Sequence, residues 1–449
     1  MANKEIKFPN GFKWGTATAS AQIEGASKEG GKGLTNWDVI PLVGGTYQEQ
    51  TPDQGCDHYY KFKEDIKLMA ELGINVYRFS ISWARIIPEG VGEVSEEGLK
   101  FYEDLIDELL KYGIEPYVTL FHWDYPMTLQ NKGGWLNPDS PTWFLEYIKV
   151  VLNRFSKKVK NWMTINEPAN AVTIGGVSFR ANYSTKENLE IIHNMLKAHG
   201  LAAQYIHECG GLVGYAPCSS CYAPLDENNE EDIKAAKQAM FAHQKDNVWN
   251  LALWVDPIVF GKYPKEYYEI YSEFERPNIT EEDMKLISTP IDFLGMNIYT
   301  GDRVKRVGTD GYEIVRHEVG NPQTSMEWEV YPRIIYWVPK FIYERYQLPF
   351  YITENGCAVT DIVSEDKKVH DGPRVEYLKQ YLKQFALAIE EGVDARGYFL
   401  WSFMDNFEWF KGYSKRFGIV YVNYQTKERI KKDSFEFYKE TISKNGRNL

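Results

Sequence analysis

Eight short apolar runs alternate with helical patterns along the whole 449-residue chain, and this alternation limits the fold more than any other feature. The runs lie at 12–19, 75–81, 116–120, 162–165, 212–215, 293–299, 350–353 and 397–401. Each is continuous and bounded by turn residues, as expected of strands buried on both faces. Between them, apolar spacing predicts helices over 57–72, 96–111, 141–155, 186–208, 232–250, 333–346, 375–391 and 434–443. Ser140 before Pro141 reads as an N-cap with proline at the first helical position, and Gly113 as a helix stop. Eight strands alternating with helices predict an α/β fold, a (β/α)8 barrel spanning 1–449 as one domain with extended loops at its C-terminal face. An open doubly wound sheet is the alternative. It would carry a phosphate-binding loop after its first strand, but Gly30-Gly31-Lys32-Gly33 lacks the earlier glycine and the closing Ser or Thr. That segment reads as a flexible loop. Two inserts follow strand ends, 36–54 and 300–330, the second with a hairpin predicted around Gly308-Thr309-Asp310-Gly311.

Composition narrows the partners. Lys and Arg number 51 against 63 Asp and Glu, a net charge of −12, which disfavours nucleic acid and anionic membranes. The start, MANKEIKFPN, has no apolar core of a signal peptide, and no stretch approaches the roughly 18 apolar residues of a membrane span. Cys56, Cys209, Cys218, Cys221 and Cys357 are sparse and odd in number, so they read as reduced thiols of a cytoplasmic protein. Cys218-x-x-Cys221 near Cys209 and His207 is a weak zinc pattern, because no second pair accompanies it. Aromatic residues reach 15%. Most belong in a large core, and the remainder would suit a site lined by flat rings.

The chemistry concentrates where the predicted strands end. The fourth runs into Thr164-Ile165-Asn166-Glu167-Pro168 and the seventh into Ile352-Thr353-Glu354-Asn355-Gly356. A carboxylate at the end of a buried strand is costly unless paired or functional. Either glutamate could pair with an arginine such as Arg78, at the end of the second strand. Two in matching contexts, facing each other across a barrel mouth, suit acid/base and nucleophilic work on an acetal. The remaining strand ends contribute Gln22, His122 with Trp123 and Asp124, Asn297 with Tyr299, and Trp401 followed by Asp405-Asn406-Phe407-Glu408-Trp409. Hydrogen-bonding groups interleaved with aromatic faces are what an uncharged polyol requires.

Over essentially its whole length, from Gly11-Phe12-Lys13-Trp14-Gly15 to Lys415-Arg416-Phe417-Gly418, the chain resembles glycoside hydrolase family 1, the β-glucosidase and β-galactosidase family. The resemblance implies a (β/α)8 barrel with Glu167 of the T-x-N-E-P motif as acid/base and Glu354 of the T-E-N-G motif as nucleophile. Arg78 and Tyr299 match the nucleophile's partners, and Asn166 the residue at the sugar 2-hydroxyl. Gln22, His122, Glu408 and Trp409 match groups at the other hydroxyls, with Asn297 among the substrate-binding set. Trp401 matches the sugar platform, and Trp328 an aromatic of the leaving-group site. The implied reaction is retaining hydrolysis of terminal β-D-glucosides, with β-galactosides or β-fucosides as further substrates, and needs no metal or cofactor.

A related branch acting on 6-phosphorylated sugars carries Ser where Glu408 stands. A carboxylate there should repel a phosphate dianion, so an unphosphorylated sugar is expected. Lys415 matches a lysine of that branch, whereas Phe417 replaces its tyrosine. Ala169, Ala21, Met127 and the Ala216-Pro217-Cys218-Ser219 stretch depart from the family pattern and imply a wider or reshaped leaving-group site. A binding protein without turnover, a metal-dependent barrel hydrolase and a transglycosidase are the rival readings. The first two lack their expected signatures, and the third shares the same covalent intermediate.

Overall fold

The computed structural model describes residues 6–173, 183–315 and 317–449. Eight parallel strands close a barrel: β1 (Lys13–Ala17), β2 (Val76–Ser80), β3 (Glu115–Phe121), β4 (Asn161–Asn166), β5 (Leu212–Ala216), β6 (Phe293–Asn297), β7 (Phe350–Asn355) and β8 (Ala395–Trp401). Each pairs with the next, and β8 returns to β1 in a continuous register from Lys13↔Gly397 to Ala17↔Trp401. β2, β4, β6 and β7 are buried at every position, which is why they read as unbroken apolar runs.

The aromatic share is partly explained inside the barrel. Tyr117, Phe293, Tyr351 and Phe399 meet in its interior, with ring centroids 5.2 Å apart for Tyr117–Phe399 and 5.1 Å for Phe293–Tyr351. These rings fill the space beneath the strand ends, so the barrel is a packed core and only its mouth is open to a ligand.

Several local expectations need correction. Arg78 lies inside β2, which continues to Ser80. The helix expected over 232–250 runs from Glu230 to Phe241 and stops there, and a second helix, Leu251–Phe260, begins just beyond it. Asn250 separates them: its side chain donates to the Ala242 carbonyl (2.8 Å) and accepts from the Leu253 amide (3.2 Å), closing one helix and capping the next. Ser140 is not the N-cap. The cap is Asp139, and the buried Ser140 hydroxyl donates to the Trp135 carbonyl. The 30–33 segment is pinned rather than flexible, with Lys32 paired to Asp38 at 2.7 Å and a Cβ at Gly33 placed 1.8 Å from the Pro88 carbonyl. Gly113, at φ +71°, follows the helix Glu96–Lys111 as anticipated.

Both long inserts sit at the C-terminal mouth. The 36–54 segment forms short helical turns and buries Trp37 completely. The 300–330 segment contains the expected hairpin, Asp302–Val307 with Gly311–Val315, and Tyr222–Pro224 adds a parallel third strand that sequence patterning missed. Among the described residues, no helix is long and apolar enough to cross a membrane.

Candidate active site

Glu167 directly follows β4 and Glu354 lies near the end of β7, so both reach a cavity of about 480 Å³ at the barrel mouth. The two carboxylates are 6% and 4% exposed and are held very differently. Glu354 receives the Arg78 guanidinium at 2.7 Å on Oε1 and the Tyr299 hydroxyl at 2.6 Å on Oε2. Arg78 is itself fixed by the Asn166 side chain (2.6 Å), the Thr353 carbonyl (2.9 Å) and Thr119 (3.2 Å). Glu167 has only amide donors, Asn297 at 2.8 Å and Asn170 at 2.5 Å.

Ionisation follows from these surroundings. Burial, then the charge of Glu354, pushes Glu167 up to about 7. Burial raises Glu354 as well, against the opposing pull of Arg78 and Tyr299. Glu354 is therefore suited to remain a carboxylate while Glu167 keeps a proton near neutrality.

Backbone geometry explains both motifs. Glu167 adopts φ +41°, a left-handed conformation uncommon for a side-chain-bearing residue, with its amide donating to the Ala216 carbonyl at 2.8 Å. A Cβ at Gly356 would lie 1.8 Å from the Trp401 carbonyl, so only glycine lets the end of β7 approach the end of β8.

The other residues singled out in the sequence gather around this pair. Asn166 Nδ2 donates to His122 Nε2 at 3.1 Å, which leaves the buried imidazole neutral and Nδ1 as its free position. Burial and then Arg78 hold His122 well below the usual histidine range. His122 lies nearly parallel to Trp401 (5.9 Å, 16°) and Trp409 (6.0 Å, 21°). Trp409 rests on Trp37 at 4.5 Å, and Tyr299 meets Trp328 at 5.3 Å. Gln22 donates to the Phe407 carbonyl at 2.8 Å, tying β1's exit to the segment that carries Glu408. That segment is anchored from behind by the fully buried Lys432, which bonds Asp405 at 2.7 Å.

Gln22 Oε1, His122 Nδ1 and Glu408 Oε2 are buried without a hydrogen-bond partner in the protein. Orphaned polar atoms are expensive; His122 and Glu408 line the cavity, where a ligand bearing several hydroxyls would satisfy both. Burial, then Glu354 and Glu167, pushes Glu408 up to about 8, which favours its protonated form at neutral pH over the carboxylate expected. Lys415, which matches a lysine of the phosphorylated-sugar branch, donates to the Ser325 carbonyl.

Raised carboxyl pKa values also bear on stability. The folded state binds these protons more tightly than the unfolded chain, so stability is lost as pH rises from about 4.5 towards 8. Glu167→Gln is expected to raise the thermal midpoint by about 2–4 °C at pH 8 and by less at pH 5, as measured by calorimetry.

One contributor escaped the sequence reading, and the support given by another, Trp123, was not foreseen. Trp123, at φ +76°, donates to the Asn166 carbonyl at 3.1 Å and packs on Trp409 at 4.7 Å. Asn170 holds Glu167 from three residues further along the helix that Pro168 begins, an i, i+3 spacing that could have exposed it. Ala169 does not open the cavity, because it is fully buried in the apolar core. Cys218 and Cys221 line the cavity as free thiols, which burial pushes upward in pKa. Among the described residues, no group of three or more His, Cys, Asp or Glu is arranged to hold a metal.

The chain is similar to known proteins over nearly its whole length. Beta-glucosidase A of Thermotoga maritima is 44% identical over 447 residues, covering 98% of both chains. A bifunctional beta-D-glucosidase/beta-D-fucosidase of Bifidobacterium breve is 35% identical, over 97% of this chain and 98% of its own. The structure of the Thermotoga maritima beta-glucosidase in complex with glucoimidazole superposes with a TM-score of 0.88 at 44% identity, covering 98% of this chain and 99% of that one. The sequence model for glycosyl hydrolase family 1 matches residues 4–447, and the chain belongs to that family.

Proposed function

We propose that the whole chain is one catalytic unit, a retaining β-glycosidase that removes terminal unphosphorylated β-D-glucose and accepts β-D-fucose. The observation that carries this reading is the unequal treatment of two buried carboxylates at one cavity. Glu354, gripped by Arg78 and Tyr299, is the nucleophile, and Glu167, raised to about 7, is the acid/base. Asn297 Nδ2 donates to Glu167 at 2.8 Å, and Asn297 is the register partner of Glu354 between β6 and β7. One residue beside both carboxylates supports the close spacing of a retaining enzyme over the wider gap that accommodates a water.

In the first step Glu354 attacks the anomeric carbon and Glu167 gives its proton to the departing oxygen. The resulting ester removes the charge that raised Glu167, so its pKa falls when a base is needed. Glu167 then takes a proton from water, which releases the sugar with its configuration retained. Gln22, His122, Asn166, Glu408 and Trp409 bind the sugar hydroxyls above the Trp401 face, and Trp328 contacts the leaving group. The glucoimidazole complex and the glucosidase/fucosidase activity named for two relatives support the choice of sugars. We also place the enzyme in the cytoplasm, a reading supported by five free cysteines, four of them buried.

A panel of 4-nitrophenyl β-glycosides tests the substrate reading. Glucoside and fucoside are expected to be hydrolysed, with the 6-phosphoglucoside at least about 100-fold slower in kcat/KM, a loss of ~2.7 kcal/mol in transition-state stabilisation. Preference for the phosphorylated sugar would refute it.

A further inference from the structure

The cavity has two chemically different ends. At the sugar end, Gln22 Oε1, His122 Nδ1 and Glu408 Oε2 are buried and unpartnered. The other end starts beyond Glu167, the proton donor to the leaving group. Its wall is the segment after β5, where Cys218 and Cys221 line the cavity together with Trp249. Cys218 and Cys221 share this lining with Asn170, which holds Glu167. The Ser220 amide donates to the Trp249 carbonyl at 3.0 Å, and the Asp302 amide to the Cys221 carbonyl at 2.9 Å. A Cβ at Gly301 would come within 2.4 Å of that same Cys221 carbonyl, so glycine permits the 300–302 backbone to pack on the thiol segment. Thr300 in turn bonds the Glu329 carbonyl at 2.9 Å, which brings neighbouring Trp328 to the same end.

Several polar groups at this end bond within the protein. Ser219 donates to the Ser220 carbonyl (3.0 Å), Thr300 donates to the Glu329 carbonyl (2.9 Å), and one oxygen of the Asp302 carboxylate faces His317 at 3.2 Å. Among the described residues at this wall, Asn170 Oδ1 is the one fully buried acceptor left without a partner. A second sugar placed here would have to exchange the water around its hydroxyls for groups that already carry bonds of their own. A flat aromatic ring makes no such demand, and gains contact with two indoles and with polarisable sulfur.

Building on the glycosidase reading, we propose that the leaving group selected by this wall is an alcohol bearing a flat aromatic ring rather than a second sugar, with Cys218, Cys221 and Trp249 as the specificity-determining residues. 2-Phenylethyl β-D-glucoside and cellobiose separate the two, because both leave as aliphatic alcohols and differ little in intrinsic leaving ability. The wild type is expected to favour the phenylethyl glucoside by at least about tenfold in kcat/KM, carried mainly by KM. Cys218→Asn combined with Cys221→Ser should shift that ratio towards cellobiose by about tenfold. Inhibition by deoxynojirimycin, which occupies the sugar end alone, should change little and reports that the variant is folded. Equal or better use of cellobiose by the wild type, or an unchanged ratio in a variant that still binds deoxynojirimycin, would overturn the proposal. Hydrolysis of neither glucoside would instead overturn the glycosidase reading on which it rests.

Discussion

Glu354→Ala is expected to lower kcat on aryl β-glucosides by about 10⁴-fold or more, since the covalent step has no substitute for the missing carboxylate. The same variant makes a second outcome available. Removing the side chain leaves space beneath the anomeric carbon, between Arg78 and Tyr299, where the lost carboxylate had accepted bonds at 2.7 and 2.6 Å. A small anion such as azide can enter that space and attack the carbon directly. Glu167 then protonates the leaving oxygen as before, and the product is the α-glucosyl azide, inverted once. Rate recovery with added azide and an α product by NMR are the expected results. Undiminished hydrolysis would place the nucleophile elsewhere.

The second large effect belongs to Glu167→Ala, and its size should depend on the leaving group. A 2,4-dinitrophenolate departs without protonation, so formation of the glycosyl-enzyme should be little affected, whereas an alkyl glucoside should lose about 10²–10⁴-fold. Deglycosylation also slows, because no base activates water. Azide should accelerate turnover and give the β-glucosyl azide, the anomer opposite to that from Glu354→Ala. The pH profile provides an independent signature. In the wild type, kcat/KM should fall as pH rises past about 7, where Glu167 loses the proton it must donate. On the acid side it should fall as Glu354 takes up a proton, at a pH above the usual carboxylate range because the site is buried. The alkaline limb should disappear in Glu167→Ala. Its persistence would mean that another group supplies the proton.

The barrel and the proposed catalytic pair were legible in the sequence because each rests on a local signal. Strands buried on both faces appear as unbroken apolar runs, and a glutamate closing such a run is conspicuous. Where tertiary contacts decide, the sequence was less informative. Ser140 has the composition of a cap, but its hydroxyl finds the Trp135 carbonyl instead. Nothing local shows that Asn250 would serve two helices at once. The raised pKa of Glu408 could not be read from residue type, since it depends first on burial and then on two other acids arriving at the same cavity from β4 and β7. Trp123 was visible as a neighbour of His122, but its contact with Trp409 joins residues nearly 300 positions apart. The site residues are thus individually recognisable, whereas their protonation and mutual support arise only when the barrel closes.

The central claim is that a sugar becomes covalently attached to Glu354 during turnover. A 2-deoxy-2-fluoro-β-D-glucoside with a dinitrophenolate leaving group slows both steps but spares formation of the ester, so the intermediate accumulates. Intact mass should show one fluoroglucosyl unit per chain, and peptide mapping should place it on Glu354, with slow return of activity as the ester hydrolyses. A label on any other residue, or full inactivation of turnover with no covalent mass increase, would contradict the account.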